Sequence, residues 1–211
     1  FHVIPTDTIS INIDKDAVLR SGMMLPDSIR HLKGEELRNA IPDKIYISLK
    51  DMRILTKVDM LMLEMLANCN WERPLYMAIS VGEVSKLKFD HYFVQEGLAF
   101  RFTPFDYKKW GNVKGDNNYA IDVERLYENV MNRYKYGGLD TPGLYLDETT
   151  LRTCYYHRRL FALLAKELIR QGDNTRARKV LAYAEQAVPA YNVPEIYESG
   201  SFDIAKAYAA L

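Results

Sequence analysis

Apolar and polar positions alternate at the start of the chain. Ile9, Ile11 and Ile13 are separated by Ser10 and Asn12, and a period of two predicts a half-buried strand. Asp27–Asn39 is charged and irregular and reads as a helix-containing connection. Ile45, Ile47 and Leu49 then alternate with Tyr46, Ser48 and Lys50, giving a second strand. Thr56 with Asp59 three residues on resembles a capping box, with Asp where Glu is usual. The helix it opens carries Val58, Leu61, Met62, Met65 and Leu66 at helical spacing. Met60 and Leu63 make it apolar almost all round, so it is expected to be buried on several sides.

Leu75–Val81 is a continuous apolar run, as expected of a central strand covered on both faces, with Pro74 at its entry. Strand, helix and strand across residues 44–81 suggest a parallel βαβ unit with a right-handed crossover. Leu98, Phe100 and Phe102 alternate with Ala99, Arg101 and Thr103, predicting a fourth strand. A polar, Gly-containing loop over 106–118 leads to an amphipathic helix marked by Val123, Leu126, Tyr127, Val130, Met131 and Tyr134. Gly137–Pro142 (GGLDTP) is a breaker cluster and the expected domain boundary.

Helices are expected near 148–171 and 174–188, with a third beginning at 202. The stretch Arg158–Pro189, RRLFALLAKELIRQGDNTRARKVLAYAEQAVP, follows the tetratricopeptide pattern. Phe161, Leu164, Ala165 and Leu168 stand at W-x2-L-G-x2-Y; Ala177, Leu181 and Pro189 stand at A-x3-F and the closing Pro; Gly172 falls at the turn. Stacked helix pairs of this kind bury each other's apolar faces and form binding and scaffolding surfaces. A lone repeat rarely folds alone, so this one is expected to pack on the α/β part or on further repeats.

The expected fold class is α/β, with α+β as the alternative. It comprises a small mixed or parallel sheet with covering helices over 1–142, followed by a C-terminal tetratricopeptide-like helical hairpin over 143–211.

Composition narrows the function classes. The 211 residues balance 28 Lys+Arg against 28 Asp+Glu, whereas a nucleic-acid binder needs a basic surplus. The densest basic cluster, Arg176–Lys179, reads as a solvated helix face. No run approaches the ~18 apolar residues of a membrane span, and no signal-peptide pattern opens the chain. Residue 1 is Phe, which reads as an internal position of a longer protein whose other part could carry such spans. Cys69 and Cys154 are too few for a disulfide framework and read as two buried thiols. His2, His31, His91 and His157 are dispersed without metal-ligand spacing, so neither a metal nor a cofactor is expected. Neither phosphate-binding glycine loops nor a G-x-S-x-G elbow is present, and no catalytic residue is assigned.

Two polar clusters are candidates for ligand binding. In Asn70–Pro74, Trp71 could offer a stacking platform with Glu72 and Arg73 as polar contacts. The packing reading, which the residues suit better, is a helix C-terminus with Trp71 in the core and the Glu72 and Arg73 charges paired to fix the turn. In Asp90–Arg101, Tyr92, Glu96 and Arg101 could face the same site. The packing alternative there is a short helix capped by Gly97 and followed by a strand.

NWERPLYMAISVG (Asn70–Gly82), YFVQEGLAFRFTP (Tyr92–Pro104), YENVMNRYKYGG (Tyr127–Gly138) and YLDE (Tyr145–Glu148) resemble the C-terminal region of the domain of unknown function 2723 family. These are large bacterial membrane proteins similar to protein O-mannosyltransferases of the transmembrane protein 260 type. IPTD (Ile4–Asp7), IDKDAVLRSG (Ile13–Gly22) and MLEMLANCNWERP (Met62–Pro74) fit the same region, so the resemblance covers nearly the whole chain.

It implies a multi-span glycosyltransferase-like part, absent here, that holds the catalytic acid. It also implies a C-terminal part on the extracytoplasmic, periplasmic face of a bacterial membrane. The expected function is therefore a non-catalytic accessory domain that binds or positions a protein or glycan acceptor, partnered with the membrane part of its own parent chain. The alternative is a stand-alone tetratricopeptide-type adaptor for a protein or peptide. A free enzyme acting on sugars through Glu72, Glu96 and Arg101 would need two carboxylates in one cleft.

Overall fold

The computed structural model describes residues 6–50, 52, 54–81, 87, 89–113 and 119–211. Residues 114–118 of the expected loop, Ile4 and Pro5 of IPTD, Gly82 and His2 lie outside the described residues. The chain divides into two compact units: Phe1–Gln95 with Ala99–Asp122, and Glu96–Leu98 with Val123–Leu211.

In the first unit, β1 (Thr8–Asn12) leads to helix α1 (Lys15–Arg20), whose N-cap Asp14 accepts from Ala17 N at 2.9 Å. Helix α2 (Gly34–Ala40) lies in the charged connection, and β2 (Lys44–Ser48) returns antiparallel to β1. Ile11 pairs with Ile45 and Ile9 with Ile47, so the alternation puts one apolar face inward; Ile11, Ile45, Ile47 and Leu49 are buried.

Helix α3 (Lys57–Asn68) opens on the capping box read from sequence: Asp59 N donates to Thr56 Oγ1 at 3.2 Å and Thr56 N to Asp59 Oδ2 at 2.8 Å. Its burial corrects the expectation. Leu63, Leu66 and Asp59 are buried, while Met60, Leu61 and Met65 are 59, 64 and 58% exposed. The inward stripe runs through 59, 63 and 66; of the expected positions 58, 61, 62, 65 and 66, Leu66 is buried and Met62 half-buried, while Val58, Leu61 and Met65 form the outer face.

A four-stranded mixed sheet follows, made of β3 (Tyr76–Ala78), β4 (Phe93–Gln95), β5 (Ala99–Phe102) and β6 (Ala120–Ile121) in the order β3-β5-β4-β6. Met77 pairs antiparallel with Phe100, Val94 antiparallel with Arg101, and Val94 parallel with Ala120. The sheet is thus mixed, as one of the two expected forms. The βαβ unit is not formed: β2 and β3 belong to different sheets, and β3 runs antiparallel to its neighbour. Nor is β3 central. It is an edge strand with Tyr76 and Ala78 exposed, and β4 and β5 take the interior. An apolar run alone does not distinguish a covered strand from an edge.

In the second unit, α4 (Val123–Glu128) buries Val123 and Leu126, then widens into a π turn over Asn129–Arg133 closed by Tyr134 N to Asn129 O at 2.9 Å. Tyr136 beyond it stacks on Phe161 at 5.6 Å. The Gly137–Pro142 cluster is therefore a turn inside this unit and not its edge.

Helices α5 (Glu148–Arg170) and α6 (Asn174–Ala187) form an antiparallel hairpin, and α7 (Ser201–Ala209) packs back on α5. The turn between α5 and α6 is short because one motif serves both ends. Gly172, at φ 81°, lets its N–H reach Ile169 O and the Asp173 N–H reach Leu168 O, both at 2.9 Å, a Schellman arrangement. The Asp173 carboxylate then caps α6 by accepting from Arg176 N at 2.9 Å.

Phe161, Leu164, Ala165 and Leu168 on α5 and Ala177 and Leu181 on α6 are fully buried, and Pro189 is buried just past α6. Ala177 has no exposed surface, so Ala177→Leu should overpack the hairpin and lower stability by about 1–3 kcal/mol. An unchanged melting temperature would contradict that packing.

Candidate functional site

Trp71 follows α3 through two residues with left-handed backbone, Asn70 at φ 48° and Trp71 at φ 61°. Asn adopts that region readily, but Trp is unusual in it. The side chain shows what holds it there. Its indole Nε1 donates to Asn12 O at 2.8 Å, and its ring stacks on Phe102 at 5.6 Å and 17°. Trp71 is 4% exposed, so both faces belong to the core and no stacking platform is presented.

Glu72 and Arg73 are exposed beside it. Arg73, Trp71 and Arg101 border a gap of only about 10 Å³, room for roughly one water and no ligand. Arg101 is buried in β5 and its Nη2 donates to Ser21 O at 3.0 Å. Tyr92 is buried too, and its hydroxyl pKa is pushed up to about 12 by burial and by the nearby Asp106 carboxylate. Trp71, Arg73 and Arg101 therefore meet, but around packed protein rather than around a cleft.

Glu96 belongs to the second unit. There its buried carboxylate lies 3.6 Å from Arg125 Nε, and its carbonyl accepts from Asn129 Nδ2 at 2.7 Å. Gly97 is not a helix C-cap. It sits in the turn between β4 and β5 at φ 151°, and a Cβ there would collide with the Tyr134 hydroxyl, which accepts from Leu98 N at 2.9 Å. Gly97→Ala is accordingly expected to destabilise the second unit by about 2–4 kcal/mol through strain and crowding, measured by denaturant unfolding.

The second unit carries a cleft of about 430 Å³ between residues 131–140 and the end of α6. Tyr134, Tyr136, Tyr183, Lys135, Asp140 and Gln186 line it. Tyr136 is held by its hydroxyl donating to Val130 O at 2.7 Å and by Phe161, Tyr183 and His157 around its ring. Sequence reading missed this cleft. Its walls come from a π turn and a helix about 50 residues apart, and no local motif announces their meeting.

Arg158 was missed as well. Its guanidinium is buried and donates to the carbonyls of Val188, Val193 and Pro194 and to the hydroxyls of Ser199 and Ser201, at 2.6–3.3 Å.

His157 packs edge-on to Tyr134 and Tyr136, and burial pulls its pKa below the usual value. Among the described residues its Nδ1 has no hydrogen-bond partner. The unfolded chain thus binds this proton more readily than the folded one. Stability from His157 is complete above the ordinary value of about 6.5 and is lost as pH falls below it. A melting temperature that drops from pH 7 to pH 5, with a smaller drop in His157→Gln, is the expected result; equal drops would refute it.

Cys69 and Cys154 are free, and the Cys154 thiol is pushed up by burial. Among the described residues, no group of three or more His, Cys, Asp or Glu side chains could hold a metal ion. No helix among them is long and apolar enough to cross a membrane.

The architecture defines a mixed α/β unit continued by a helical unit, with a cleft in the latter. Residues 1–124 match the family TMEM260-associated domain 2, and the chain belongs to that family. No curated protein and no solved structure matches it.

Proposed function

We infer that the chain is a non-catalytic accessory domain of a membrane glycosyltransferase-like protein, facing the extracytoplasmic side and binding or positioning a protein or glycan acceptor. The observation that carries this reading is membership of the TMEM260-associated family over residues 1–124. The domain of unknown function 2723 assignment rests on the quoted sequence motifs, from NWERPLYMAISVG to YLDE.

The α5–α6 hairpin, with Gly172 at its turn and Ala177 and Leu181 in its seam, supports a tetratricopeptide-like scaffold.

The test is glycosyl transfer by the membrane-embedded parent with residues 1–211 present and deleted. Transfer to protein acceptors is expected to collapse on deletion, while insertion of the membrane part and donor hydrolysis persist. Unchanged transfer would overturn the accessory role.

A further inference from the structure

We propose that the cleft between residues 131–140 and α6 binds a neutral, hydroxyl-rich ligand, a short segment of oligosaccharide. The inference rests on the accessory role above and names a ligand class and a site for it.

Size comes first. About 430 Å³ falls within the range of ligand pockets, roughly 300–1,000 Å³. Rigidity comes next. Tyr136 is locked by Val130 O and Phe161, and Tyr134 holds the Leu98 N–H through its hydroxyl oxygen, so two aromatic walls are set before any ligand arrives. Tyrosines present an apolar body with a polar tip, which suits the C–H faces and hydroxyl rims of a sugar ring.

Charge narrows the class. Lys135 and Asp140 both line the cleft, and neither forms an ion pair among the described residues. An anion would meet the Asp140 carboxylate and a cation the Lys135 ammonium, so the pair favours a neutral guest able both to donate and to accept. Gln186 adds an amide that does both.

The backbone along 138–141 disfavours the main alternative. An extended peptide gains affinity by pairing with free main-chain groups. Here those carbonyls are already taken. Leu139 O and Thr141 O accept from Asn192 Nδ2 at 2.7 and 2.6 Å, Asp140 O accepts from Tyr191 Oη at 2.7 Å, and Gly138 O accepts from Thr141 N at 2.9 Å. The opposite wall is the last turn of helix α6, where Ala184 O is held by Val188 N at 2.9 Å. A docked helix would need a row of apolar anchors, and of the apolar lining residues Leu139 and Ala187 are buried. Along 138–141 it is the side chains that remain to read a ligand.

The experiment is amide-resolved NMR titration of the 211-residue chain with three neutral trisaccharides of different stereochemistry: maltotriose, cellotriose and mannotriose. Ala-Ser-Ala and inorganic phosphate serve as competing classes. At least one trisaccharide is expected to shift amides within 131–140 and 183–187. Gln186→Ala and Lys135→Ala, both at exposed positions, should each weaken that binding about 3–10-fold, the loss of one or two hydrogen bonds, without changing the melting temperature. The proposal is overturned if no trisaccharide moves these amides, if the shifts are the same in both variants, or if only the tripeptide or phosphate produces them. Failure here combined with lost transfer on deleting residues 1–211 removes this site and leaves the accessory role standing; unchanged transfer removes that role itself.

Discussion

Arg158→Met is expected to lower the stability of the second unit by about 3–5 kcal/mol. The substitution keeps most of the side chain's length but removes every donor. Val188 O and Val193 O are then left buried without the guanidinium, each at a cost of about 1–3 kcal/mol, and Pro194 O loses its partner too. Ser199 and Ser201 lose less, because their hydroxyls lie 2.8 Å apart and can bond to each other. Burial lowers the Arg158 pKa, but from a value so high that the side chain stays charged at any ordinary pH. Arg158→Lys is expected to fall closer to the methionine variant than to the native chain, because a point charge with three donors does not reproduce a planar fork. Denaturant midpoints at constant slope read the effect. A loss under about 1 kcal/mol would mean that the Val188–Ser201 segment is held by something other than this residue.

Trp71→Ala is expected to have a comparable effect on the first unit, also about 3–5 kcal/mol, since it empties a large core position and orphans Asn12 O. A sharper form of the test uses the backbone. Alanine keeps the left-handed strain at φ 61°, whereas glycine relieves it. Trp71→Gly should therefore be more stable than Trp71→Ala by about 1 kcal/mol, the reverse of the usual order in regular structure. If the alanine variant is the more stable of the two, the left-handed conformation at this position is not what the folded state adopts.

Local patterns predicted local structure well. The β1 and β2 alternation, the Thr56–Asp59 cap, the lengths of α5 and α6 and the Gly172 turn all depend on residues a few positions apart, and all form. What failed were inferences that needed a distant partner. The apolar ring of α3 did not say which side would be covered. Leu75–Val81 did not say that β3 would sit at an edge. Trp71 reads as a possible contact residue until Asn12, 59 positions earlier, supplies its acceptor. Arg158 is only the first residue of the repeat stretch until its partners arrive 30–43 positions later. The cleft is of the same kind, because its two walls share no sequence motif.

The three residues Glu96–Leu98 carry a practical consequence. They lie between two strands of the first unit but fold with the second, where Asn129 and Tyr134 bond their backbone. The chain passes from one unit to the other after Gln95, after Leu98 and after Asp122. A gene fusion or truncation that starts at Val123 would deliver the helices without the strand-turn segment that satisfies them. The family match ending at residue 124 marks a unit of sequence, and no single cut there yields two independently inheritable folding modules.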